Sequence, residues 1–137
     1  MGDVVGFRPR GESEKITINL GFIDLGNIDL LVSDGFYSNR TDFIRTAIRN
    51  QLERHREAAE KSAVRKQLDL GLSYFSREQL EAIRDAGDTL DIRVLGLATI
   101  ASDVSPDLAR AAISSLTVLG ALHASASVKA ALADRLH

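Results

Sequence analysis

The stretch "EKITINLG", Glu14 to Gly21, decides the reading of this chain. Ile16, Ile18 and Leu20 alternate with Lys15, Thr17 and Asn19, the two-residue period of a half-buried β-strand. No second clear strand follows for roughly fifty residues. A lone strand leaves its backbone N–H and C=O groups unpaired, and even an isolated two-stranded hairpin is marginal in water. The apolar face therefore needs a core from elsewhere, and the polar face is left free.

Working outward, the next signals are helical. Asp24 can cap a short helix running to about Asp34, with Ile28, Leu31 and Val32 on one face. "SDGFYSN" breaks it, with Gly35 as a C-terminal cap and "YSN" as turn chemistry. Asn39 followed by Asp42 resembles a capping box whose acid is one carbon short. It opens a second helix whose stripe is Phe43, Ile44, Ala47, Ile48 and Leu52, with Arg40, Arg45 and Arg49 off the stripe. From Arg54 to Lys66 the pattern is polar nearly all round, so residues 57–68 read as a helical extension or linker.

At 137 residues the chain suits one ordinary domain or two small ones. Its 45% hydrophobic and 26% charged content is that of a globular protein. Without cysteine it forms neither disulfides nor thiolate metal sites, which suits a reducing, cytoplasmic setting. The start "MGDVVGFRPRGES" lacks the apolar core of a signal peptide, and no apolar run approaches membrane-spanning length. The net charge of −2 hides an asymmetry: residues 36–66 hold eight Lys or Arg against four Asp or Glu. Such a charge-rich helix is most often a solvated face, so charge alone does not identify a nucleic-acid binder.

The second half contains a repeat. "IRVLGLATIASDVSPDLARA" (92–111) and "LTVLGALHASASVKAALADR" (116–135) align at a 24-residue offset without gaps. Val94, Leu95, Gly96, Val104, Leu108 and Ala109 recur as Val118, Leu119, Gly120, Val128, Leu132 and Ala133. Each copy reads as a strand ending near its glycine, a turn and a short helix. A helical run over 76–86, capped by Ser76 and Gln79, precedes the first copy. Two strand–helix copies are too few to stand as a solenoid, so residues 69–137 form a small α/β domain expected to bury an edge or face by oligomerisation.

The segment 14–53, through "KITINL" and "GFYSNRTDFIRTAIRNQL", resembles the ribbon–helix–helix (CopG-like) family of DNA-binding regulators, many of them bacterial. With that module, the chain reads as α+β with four parts. These are a flexible N-terminal arm (1–13), the ribbon–helix–helix domain that the resemblance implies (14–56), the linker (57–68) and the repeat domain (69–137). The resemblance supplies the missing strand from a second copy of the chain, making an obligate, intertwined homodimer. Ile16, Ile18, Leu20, Phe43, Ile44 and Ile48 would form the shared core. Lys15, Thr17 and Asn19 match the family's base-reading positions, and their chemistry suits base edges in a major groove. Ser38, Asn39 and Arg40 match the turn that holds a backbone phosphate at a helix N-terminus.

The function implied is a sequence-specific transcriptional regulator, a repressor by expectation, with double-stranded DNA as partner. The alternative is an antitoxin-like autorepressor whose second half binds a toxin or other protein partner. Antitoxin tails are usually polar and fold on binding, whereas this half is apolar and repetitive. No cofactor is expected, and no catalytic role: Asp103, Ser114 and Ser115 lack a nucleophile-elbow pattern. His55, His123 and His137 lack metal-ligand spacing.

Overall fold

The computed structural model describes residues 13–137, so the arm expected over residues 1–13 falls outside it except for Ser13. Lys15–Ser62 form one compact unit, and Ala63–His137 belong to a second. The division falls inside the expected linker.

In the first unit, residues 15–21 do not form the strand expected from the sequence. Helix α1, Phe22–Ser33, begins two residues before the cap expected from the sequence. Gly21, extended at φ −64° and ψ 156°, is the N-cap, and its carbonyl accepts the Leu25 N–H at 3.0 Å. Asp24 thus lies in the first turn, where its charge favours the helix dipole but caps nothing. The helix ends as expected at Gly35: with φ +88°, its N–H bonds to Val32 O while Phe36 N–H bonds to Leu31 O. Helix α2, Arg40–Arg54, is followed after a break at His55 by α3, Arg56–Arg65. Among Lys15–Ser62, Ile28 is the one buried residue.

The second unit is a two-layer stack. Strands β1 (Asp69–Phe75), β2 (Leu90–Ile100) and β3 (Ile113–His123) pair in parallel in that order. Helices α4 (Arg77–Asp85), α5 (Pro106–Ala112) and α6 (Ala126–Ala131) follow them, α5 packing between the other two. Leu80, Ile92, Val94, Ala98, Leu108, Ala109, Leu116, Val128 and Leu132 make one buried cluster between strands and helices. Each helix opens on a serine, Ser76, Ser105 or Ser125, whose hydroxyl accepts an N–H from the first turn.

Two expectations about the repeat need correction. It has three copies: "LGL" at 70–72 lies beside Leu95-Gly96-Leu97, with Gly71, Gly96 and Gly120 in one row across the sheet. The strands also run on past their glycines. The glycines adopt φ of +112°, +140° and +124°. A Cβ on Gly96 would collide with the carbonyl oxygen of Gly71, and one on Gly120 with that of Gly96. Only glycine allows the backbones to approach in this conformation.

The 24-residue offset holds between β2 and β3 but not between their helices. The capping serines are 20 residues apart, so Leu108 is equivalent to Val128 rather than to Leu132. The cause is a longer connection after β2, residues 101–104, offset by α5 running straight into β3.

Candidate nucleic-acid interface

Residues 15–19 are all exposed and Leu20 is half-buried, so the alternation of the sequence is not expressed as two faces in the single chain. Ile16 is 72% exposed and Ile18 54%, although both are apolar. Beside them an open groove of about 370 Å³ is lined by Ile18, Leu20, Ile28, Leu31, Phe43, Ile44, Ala47 and Ile48, with Asp24 and Asn27 as its polar members. Five of the six residues expected to form the shared core meet here. Ile16 does not line the groove. Helix α1 contributes Ile28 and Leu31, which the periodicity had placed on one face. Exposed Leu52 and Phe36 add to an apolar surface far larger than one buried isoleucine can organise.

Lys15, Thr17 and Asn19 are all exposed. The start of α2 is built as its sequence implies. Asn39 Oδ1 accepts the Asp42 N–H at 2.8 Å, and Asp42 Oδ2 accepts the Ser38 N–H at 2.9 Å. This is a reciprocal cap in which the short acid reaches the residue before the N-cap. The Tyr37 ring meets Phe43 edge to face, centroids 5.0 Å apart at 82°, and ties the turn to the groove wall.

Arg40 has an intrachain partner that the sequence did not signal. Its Nε and Nη2 each donate to the Asp29 carboxylate at 2.8 Å, bridging α2 to α1. The Asp29 carboxyl is held below its ordinary value chiefly by that hydrogen bond, and the Arg40 guanidinium is raised for the same reason. Both are exposed, so the pair fixes geometry more than it adds stability. Two donors satisfied on Asp29 leave the remaining guanidinium N–H groups for another acceptor.

Among the described residues no polar or charged side chain is buried, no cluster of His, Cys, Asp or Glu is placed to hold a metal, and no helix is long and apolar enough to cross a membrane. His123 ends β3, and His55 lies 3.2 Å from the Gln51 amide.

Neither curated proteins nor solved structures yield a match to this chain. A family model does: the one described as the ribbon–helix–helix transcriptional regulator family matches residues 11–129, spanning the segment 15–20 and most of the repeat. The chain belongs to the ribbon–helix–helix transcriptional regulator family.

Proposed function

We propose that this protein is a sequence-specific DNA-binding repressor that works as a homodimer. In this reading residues 15–20 of two copies pair antiparallel and enter the major groove as a two-stranded ribbon. The observation that carries it is an exposed segment of alternating sequence beside an open, mainly apolar groove, in a unit whose one buried residue is Ile28. Pairing with a second copy would satisfy the strand backbone and cover Ile18 and Leu20 against Phe43, Ile44 and Ile48. Such burial is worth roughly 1.5–3 kcal/mol per fully covered side chain.

The opposite face then presents Lys15, Thr17 and Asn19. Lysine donates to guanine O6 and N7, asparagine can pair bidentately with adenine, and threonine meets a base edge or the thymine methyl. Ser38, Asn39 and Arg40 stand at the start of α2 as the phosphate contact. The Asp42 N–H is taken by Asn39 Oδ1, which leaves the Arg40 and Thr41 N–H groups at the positive dipole end. Asp29 acts here as a positioning residue for Arg40.

The packed core of Ala63–His137 weighs against an antitoxin tail that folds only on its target. Selection of bound sequences from a random DNA pool tests the proposal. Enrichment of a two-fold-related motif is expected, with Asn19→Ala relaxing one position in each half-site. A pool that enriches no motif would overturn it.

A further inference from the structure

The two ends of the repeat stack are finished differently. At the β3 end the first part of the edge is covered: Leu136 bridges to Leu116, and the His137 N–H donates to Leu116 O at 2.7 Å. The Arg135 guanidinium also covers Ile113 O at 2.7 Å. At the β1 end no described residue pairs with the outer edge of the strand. That edge carries none of the usual protections. "DLGLSYF" has no proline or lysine, its one charge is Asp69 at the start, and Leu70, Leu72 and Tyr74 are exposed, the leucines at 82% and 76%. A seven-residue apolar edge of this kind is a template for another strand.

The glycine row points the same way. Gly96 and Gly120 each face the carbonyl of the preceding strand's glycine, at a distance no side chain tolerates. Gly71 has the same positive φ, yet nothing lies within 4 Å of where its Cβ would be. The outer member of the row is shaped for close backbone approach and faces open space.

We propose that β1 pairs antiparallel with β1 of a second copy of this chain, joining two three-stranded sheets into one of six strands. A two-fold axis at Leu72 pairs all seven residues, setting Leu72 against its own copy and Leu70 against Tyr74 of the other chain. One feature favours a second copy over a different protein: the edge is nearly free of charge, so like meets like without repulsion. An all-parallel sheet is also seldom left with one face and one edge bare. The pairing is independent of the DNA-binding reading, since it uses none of residues 15–54.

The chain has no cysteine, so a single introduced one reports cleanly. Leu72→Cys and Leu119→Cys both lie at exposed positions, Leu119 being 45% exposed on β3 at the other end of the sheet. In the full-length protein under mild oxidant, Leu72→Cys should form an interchain disulfide at least about tenfold faster than Leu119→Cys, because directly opposed residues share a high effective concentration. The double variant Leu70→Lys/Leu72→Lys alters only exposed side chains. It should retain its far-ultraviolet circular dichroism while the β1 amides lose protection from hydrogen exchange. Equal cross-linking at both positions, or β1 amides that exchange equally fast in parent and double variant, would overturn the proposal.

Discussion

Ile18→Ala is the sharpest probe of the proposed ribbon. Truncating a fully buried isoleucine to alanine costs about 2–5 kcal/mol through lost transfer energy and the cavity left behind. Ile18 is 54% exposed in the single chain, so about half that cost belongs to contacts made only on dimerisation. That is about 1–2.5 kcal/mol per chain, or about 2–5 kcal/mol for the two copies in a dimer. At 1.4 kcal/mol per tenfold, the dimer dissociation constant should rise by roughly 30- to 4,000-fold. Sedimentation equilibrium over a dilution series measures it directly. Thermal unfolding gives a second readout, because the melting temperature of a dimer depends on concentration. Thr17→Ala is the internal control, one residue away on the opposite face, and should leave dissociation within about threefold of the parent protein. If Thr17→Ala weakens the dimer and Ile18→Ala does not, the strand faces the other way and the assignment of Lys15, Thr17 and Asn19 to DNA fails.

Asn19→Ala should cost about 1–3 kcal/mol on the preferred DNA site while leaving non-specific affinity unaltered, as read by titration against specific and scrambled duplexes. Gly96→Ala puts a Cβ onto the Gly71 carbonyl at φ +140°; it should destabilise the second unit by at least about 3 kcal/mol in denaturant unfolding. Gln67, at φ +55° in the turn after α3, holds a conformation glycine adopts freely, so Gln67→Gly should stabilise that unit by about 0.5–1 kcal/mol, measured the same way. Because Arg40 depresses the Asp29 carboxyl, that pair's contribution is complete above the ordinary value of 3.8 and is lost only as pH falls through the lower folded value. Carboxyl chemical shifts should show Asp29 titrating below 3.8 in the parent protein and moving upward in Arg40→Ala.

What the sequence disclosed best was whatever local chemistry determines by itself. The Asn39 cap and the Gly35 stop each follow from a few adjacent residues and are realised in the structure, whereas the alternation at 15–20 does not form a strand in the single chain. The beginning of α1 was misplaced because the acid at Asp24 suits both a cap and a first turn, and the extended Gly21 took the capping position. The third repeat was hidden for a different reason. "DLGLSYF" shares only Leu-Gly-Leu with β2, and its glycine lies 25 residues before Gly96 rather than 24. The agreement of Val104 with Val128 came from an ungapped comparison that the longer connection after β2 invalidates. The Asp29–Arg40 pair was illegible because its partners sit eleven residues apart across a turn, where no helical or strand period relates them.

The row of glycines also bears on how the length of this chain can change. Connections of quite different length, four residues at 101–104 against none between α5 and β3, still deliver the same alignment of Gly71, Gly96 and Gly120. Loops absorb the difference, while the strands tolerate none. A residue inserted into 101–104 extends a turn, but the same insertion between Gly96 and Ile100 shifts the rest of β2 by one place against both neighbours. Every inward side chain beyond it then turns outward. Natural variation in length should therefore accumulate between the strands and helices, with the three glycines as fixed points of the alignment.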